Sequence, residues 1–158
     1  MLDLIIKNGK CYINGELKDV DVAIKDGKIQ RIGQISEEAK ETINAEGHTV
    51  LPGCIDTQTH FREPGSTDTE DLNSGSRAAI VGGITAVFEM TNTNPPTSNK
   101  KEFQRKLDLA KNRMYCNYAF YFGATADNAN DLSDLKNLEG CCGTVSYTHL
   151  TLPTIYSV

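Results

Sequence analysis

The most informative part of the chain is LPGCIDTQTHFREPG, residues 51–65. It begins as an apolar run after a Pro-Gly turn and ends at a second Pro-Gly, which is typical of a short buried strand. Because successive strand side chains point to opposite faces, such a strand places four polar groups on one face: Asp56, Gln58, His60 and Arg62. That face is either exposed to water, as on an edge strand, or lines a site.

The rest of the chain alternates helical and strand patterns. The pattern predicts a helix that follows Thr69-Glu70-Asp71 and stops at Gly82-Gly83, and then a buried strand over residues 84–90. It further predicts a helix over residues 98–112 capped by Ser98, a strand over residues 115–122 and a short helix over residues 132–138. This order predicts βαβ units and a parallel sheet, in which chemistry lies at the carboxyl ends of the strands. We therefore expect His60, Arg62 and Asn92 to lie close together.

The first 50 residues predict a small antiparallel β-rich unit. Strands are expected over residues 2–7, 10–13, 20–25 and 28–32. Asp26-Gly27, between two alternating segments, is a strong hairpin signal.

Residues 51–65 resemble the first barrel strand of the cyclic amidohydrolases, and most closely that of the dihydroorotases. In that family the strand reads roughly Pro-Gly-x-Ile-Asp-x-His-x-His-x-Arg-Glu-Pro-Gly, and its two histidines hold the metal, which is zinc. Here the second histidine is His60, whereas Gln58 replaces the first. An amide oxygen is a weaker zinc ligand than an imidazole nitrogen.

The resemblance extends to Met90-Thr91-Asn92-Thr93, which is similar to the family's Met-Pro-Asn-Thr. It implies that Arg62 and Asn92 bind the carboxylate of dihydroorotate. It also implies that His60 is a metal ligand and that Gln58 occupies the position of the family's other metal-binding histidine. The implied reaction is the reversible cyclisation of N-carbamoyl-aspartate to dihydroorotate in pyrimidine biosynthesis. The implied fold is α/β: a β-rich unit followed by the first three βα units of a truncated (β/α)8 barrel. The catalytic acid or base is expected beyond the truncation.

This interpretation divides the chain into a β-rich segment (1–50), a partial barrel (51–143) and a non-family tail (144–158). The tail lacks the lysine-bearing strand expected at this place and is similar to translated sequencing adapter. His149 within it, like His48 before the barrel, is not expected to be a ligand. The residues after Gly53 are about half of the roughly 200 that a closed barrel needs, so we expect this chain alone to be poorly stable and inactive.

Two alternatives remain open. One is another cyclic amidohydrolase, such as a hydantoinase, dihydropyrimidinase or allantoinase; Arg62 favours dihydroorotase, because a substrate carboxylate needs a cation. The other is a non-catalytic homologue that serves as a structural partner of aspartate carbamoyltransferase, which Gln58 favours.

Composition excludes several classes of function. A net charge of −5 argues against a nucleic-acid partner, and the basic residues from Lys100 to Lys111 predict a solvated helix face. No apolar run approaches the ~20 residues of a membrane span, and no secretion signal is evident, so a cytoplasmic enzyme is expected. The five cysteines are expected to be reduced. The expected partners are a small-molecule substrate and further copies of the chain in a homo-oligomer.

Overall fold

The computed structural model describes residues 1–146, except for the side chain of Asp131. The chain divides into two compact units, Met1–Pro52 and the residues from Gly53 onward. The predictions made for His149, and for the tail from residue 147, lie outside the described residues.

The first unit is built from seven strands in two sheets. The strands are β1 (Leu2–Lys7), β2 (Lys10–Ile13), β3 (Glu16–Asp19), β4 (Asp21–Lys25), β5 (Lys28–Gly33), β6 (Ala39–Asn44) and β7 (Thr49–Val50). One sheet has the order β5-β4-β1-β6 and the other β3-β2-β7. Ile5, Ala23 and Ile35 form the buried cluster of this unit.

The hairpin at Asp26-Gly27 is confirmed. It joins β4 to β5, which pair antiparallel with Lys25 opposite Lys28. Asp26 has φ 51° and Gly27 has φ 71°. Two central residues at positive φ match the right-handed twist of the flanking strands, and Gly adopts that conformation without steric cost.

The prediction of a wholly antiparallel first unit is wrong. β1 pairs with β6 in parallel, and β2 pairs with β7 in parallel. Sequence patterns missed β3 and β6 because their side chains are almost all exposed, so neither strand shows an apolar alternation. Pairing to a distant strand, rather than local pattern, makes these segments β-structure.

The second unit is an α/β layer with an all-parallel sheet. Its elements are β8 (Cys54–Thr59), α1 (Leu72–Val81), β9 (Ile84–Glu89), α2 (Lys100–Ala110), β10 (Asn117–Gly123), a 3-10 segment (Ala126–Asn137) and β11 (Cys141–Val145). The sheet order is β11-β10-β9-β8, and each neighbouring pair is parallel. The predicted α/β fold with three βα units is therefore confirmed, and a fourth strand follows them.

The helices cover the sheet through a compact apolar core. Leu72 on α1, Phe103 on α2 and Phe120 on β10 are completely buried in it. Phe103 and Phe120 meet edge to face, with centroids 6.4 Å apart and an interplanar angle of 86°. Burying each such ring contributes roughly 1.5–3 kcal/mol, which fixes the helices on the sheet and so fixes the strand ends.

Strand β8 differs from its prediction in two ways. It ends at Thr59, so His60 and Arg62 lie in the following loop and strand alternation does not set their directions. Its beginning is not buried either, because Leu51 is 60% exposed and Ile55 is 57% exposed. The reason is its position: among the described residues β8 is the end strand of the sheet and pairs only with β9.

Both α-helices begin at side-chain caps. Asp71 caps α1 by accepting a hydrogen bond from the Ser74 backbone N–H. Asn99, not the predicted Ser98, caps α2, since its Oδ1 accepts from the Glu102 backbone N–H at 2.9 Å. No helix within residues 1–146 is long and apolar enough to cross a membrane.

Candidate active site

The loops after β8 and β9 are joined by backbone contacts at the carboxyl edge of the sheet. Met90 N–H donates to the Thr59 carbonyl at 2.9 Å, and Asn94 N–H donates to the Pro64 carbonyl at 3.0 Å. Gly65 has φ +124°, and a Cβ there would lie 2.9 Å from the Asn94 Cβ. Only glycine allows this approach, so the glycine of Pro64-Gly65 lets the two loops pack together.

The two loops bring His60 and Asn92 into direct contact. His60 Nδ1 lies 2.8 Å from Asn92 Oδ1, and both residues are half-buried. An amide oxygen can only accept, so with it facing the ring Nδ1 must donate the proton. The other ring nitrogen, Nε2, then keeps its lone pair and can accept a proton or bind a metal.

Gln58 lies on β8 and is exposed; its backbone N–H donates to Asp56 Oδ1 at 2.9 Å. A zinc site needs three or four nitrogen, sulfur or oxygen ligands. Residues 1–146 contain no cluster of three or more His, Cys, Asp or Glu side chains that could hold a metal. One imidazole and one neutral amide do not fit zinc by themselves.

Arg62 lies in the β8–α1 loop with its side chain exposed. The Arg62 carbonyl accepts a hydrogen bond from the Ser66 N–H at 2.8 Å, which closes a turn in this loop. The guanidinium is therefore carried on a hydrogen-bonded turn two residues from His60. A planar guanidinium of this kind can bind a carboxylate through two parallel hydrogen bonds.

Glu63 has a structural role that sequence reasoning did not assign to it. It is only 7% exposed, and its carboxylate binds both terminal nitrogens of Arg113 at 2.9 and 3.0 Å. It also accepts the Leu72 N–H at 2.9 Å and so satisfies the first turn of α1. The Glu63 hydrogen bonds raise the pKa of Arg113. In the sequence, Glu63 and Arg113 are an acid and a base 50 residues apart. Nothing in a local pattern indicates that two such distant residues pair.

A parallel βα sheet with an imidazole, an amide and a guanidinium in the loops at its carboxyl edge is typical of α/β proteins that bind ligands at that edge. The model of the amidohydrolase family matches residues 49–145. The chain belongs to the amidohydrolase family.

Named relatives agree with this membership. The chain is 41% identical over 137 residues to an allantoinase of Escherichia coli and 40% identical over 137 residues to an allantoinase of Salmonella choleraesuis. Among solved structures, the L-hydantoinase (dihydropyrimidinase) from Arthrobacter aurescens matches with a TM-score of 0.83 at 30% identity over 91% of this chain. The dihydropyrimidinase from Brevibacillus agri matches with a TM-score of 0.77 at 26% identity, again over 91% of this chain.

The allantoinase matches cover 86% of this chain but only 30% of each allantoinase. The two structural matches cover 91% of this chain but only 32% of each solved chain. The chain thus spans about a third of the length of its relatives. Because the structural matches cover 91% of this chain, they include residues of both of its compact units.

Proposed function

We propose that these residues belong to a hydrolase of cyclic amides whose substrate ring carries a carboxylate, as dihydroorotate does. The observation that carries the proposal is the His60–Asn92 hydrogen bond of 2.8 Å at the carboxyl edge of the sheet. Arg62, two residues after His60, supplies an exposed cation on the same loop. A neutral ring would not require that cation.

In this proposal each residue has a separate task. Arg62 binds the ring carboxylate through its guanidinium fork, and Asn92 adds an amide donor to the same carboxylate while its oxygen orients His60. His60 presents Nε2 to the ring. The described residues do not themselves form a zinc site, so no chemical step is assigned to a metal here.

A second candidate substrate is an uncharged ring of the allantoin or hydantoin type. It is supported by relatives that are named allantoinase and L-hydantoinase. Such rings carry no carboxylate, so this candidate leaves Arg62 without a substrate partner. The non-catalytic partnership with aspartate carbamoyltransferase is supported by Gln58 alone.

Nuclear magnetic resonance titration of the isotope-labelled chain tests the proposal. We expect dihydroorotate to shift the His60 and Asn92 signals, and Arg62→Gln to weaken that binding by roughly tenfold or more, because a charged hydrogen bond is lost. Arg105→Gln is the matched control, since Arg105 is an exposed arginine on α2 whose ion-pair partner within residues 1–146 is Glu102. Shifts caused by allantoin or hydantoin and unaffected by Arg62→Gln would favour the second candidate and reject the first.

A further inference from the structure

A fully buried ion pair lies directly behind the candidate site. Lys106 Nζ, on α2, is 2.5 Å from Glu89 Oε2, at the end of β9, and neither side chain has any exposed surface. The same ammonium donates to the Met90 carbonyl at 3.2 Å and lies 5.4 Å from the centre of the Phe120 ring. The predicted solvated face holds for Lys100, Lys101 and Lys111, which are exposed, but is wrong for Lys106.

The pair is poorly suited to a purely stabilising role. Glu89 Oε1 is buried without a hydrogen-bond partner in the described part of the chain. Burial raises the pKa of Glu89 to about 7 and lowers the pKa of Lys106, which reflects the cost of removing both charges from water. Buried ion pairs of this kind are often no more stabilising than apolar residues of similar volume.

The ion pair lies where the ends of β8 and β9 are joined by backbone hydrogen bonds. Glu89 is opposite Thr59 in the β8–β9 register, and Thr59 directly precedes His60. Met90, whose carbonyl accepts from Lys106, donates its own N–H to the Thr59 carbonyl at 2.9 Å. Lys106 therefore binds the backbone two residues before Asn92, at the point where β8 and β9 are joined.

The far side of Asn92 is anchored independently. Thr97 N–H donates to the Thr91 carbonyl at 3.0 Å, and Gly123 N–H donates to the Thr97 carbonyl at 2.7 Å. Thr97 is only 1% exposed. Asn92 thus lies in a loop that is fixed before it by Lys106 and after it by Thr97.

We propose that Glu89 and Lys106 are positioning residues that hold the ends of β8 and β9 so that Asn92 Oδ1 keeps the His60 ring in one orientation. The ammonium fixes the Met90 peptide, and the carboxylate fixes the ammonium. This positioning does not depend on which ring binds. Its relevance to catalysis rests on the role proposed above for His60.

The test uses a double variant, Glu89→Met with Lys106→Met, in the complete 158-residue chain. Met replaces both charged side chains by apolar ones of similar length, so we expect the melting temperature to stay close to that of the wild type. The readout is the His60 ring in nitrogen-15 spectra. The wild type should show a single tautomer with the proton on Nδ1. The double variant should show two tautomers, and its Nδ1–H should exchange roughly three- to tenfold faster, which is the change expected from the loss of one hydrogen bond.

Lys101→Met is the matched control, because Lys101 is an exposed lysine on the same helix. It should leave the His60 spectrum unchanged. A double variant that folds and keeps the wild-type His60 tautomer would overturn the proposal, and so would a wild type whose ring already samples both tautomers. A double variant that does not fold would also overturn it, because the pair would then be needed for stability. Failure of substrate binding would reject the proposed function but leave this result intact.

Discussion

At the scale of single residues, the hydrogen bond between His60 and Asn92 defines the site. It uses the ring nitrogen that faces the neighbouring loop and leaves Nε2 available. Gln58 two residues earlier is the position where the resemblance to dihydroorotases implied a second imidazole. The site therefore differs from that pattern by one ligand, and this difference can be tested by substitution.

Gln58→His should increase zinc affinity. The substitution replaces a neutral amide by an imidazole close to His60, and an imidazole nitrogen is the better zinc ligand. We expect the dissociation constant for Zn²⁺ or Co²⁺ to fall by roughly tenfold or more, measured by the visible absorption of bound cobalt. Gln34→His, which adds a histidine at an exposed position in the first unit, is the control. Equal affinities in the two variants would show that residue 58 does not share a site with His60.

Glu63→Gln should destabilise the second unit. The substitution removes the charge that binds Arg113 and Leu72 N–H, and Glu63 is almost fully buried. We expect a loss of about 1–3 kcal/mol in the free energy of unfolding, measured by urea denaturation. Asp134→Asn is the control, because Asp134 and its partner Lys100 are both largely exposed, and it should cost less than about 0.5 kcal/mol. Equal losses would contradict the role given to Glu63.

At the scale of elements, the contact between β9 and α2 predicts a dependence of stability on pH. Burial raises the pKa of Glu89 from 4.5 to about 7. Between those values the folded chain keeps a proton that the unfolded chain releases, so this group makes the free energy of unfolding fall as the pH rises from about 4.5 to about 7. The lowered pKa of Lys106 acts in the opposite direction, between its folded value and 10.5.

The measurement compares urea midpoints between pH 4.5 and 7 for the wild type and the Glu89→Met/Lys106→Met variant. The difference between the two curves isolates the pair from all other titrating groups, including Glu70, whose charge also raises the pKa of Glu89. We expect the wild type to lose stability relative to the variant as the pH rises through this window. A constant difference would mean that Glu89 titrates at its ordinary pKa in the folded chain.

Local patterns predicted the elements whose structure is decided locally. The apolar run of β9, the double glycine after α1 and the Asp26-Gly27 hairpin carry their signal within a few residues. The predicted parallel sheet, in which the carboxyl ends of the strands meet at one edge, also predicted that His60 and Asn92 would be neighbours.

Long-range pairing determined the features that the sequence did not predict. β6 is a polar segment that becomes a strand because it lies parallel to β1. Lys106 has the sequence environment of a solvated lysine, yet it is buried because Glu89 and Phe120 lie opposite it. Because β8 ends at Thr59, Arg62 lies in a loop, and the alternation of side chains along a strand could not predict its direction.

At the scale of the whole molecule, the match to the Escherichia coli allantoinase covers 86% of this chain but only 30% of the allantoinase. The described sheet has four parallel strands, whereas a (β/α)8 barrel closes with eight. We propose that activity requires the remaining strands and the ligands they carry. The isolated chain should therefore bind a substrate ring weakly and turn over neither dihydroorotate nor allantoin.

The roles proposed for Arg62, Asn92 and His60 are tested most directly by a crystal structure of the proposed hydrolase with dihydroorotate bound. We predict that the ring carboxylate lies within hydrogen-bond distance of the Arg62 guanidinium and the Asn92 amide, with His60 on the side of the ring away from that carboxylate. A carboxylate bound elsewhere, or a His60 ring separated from Asn92, would contradict the account.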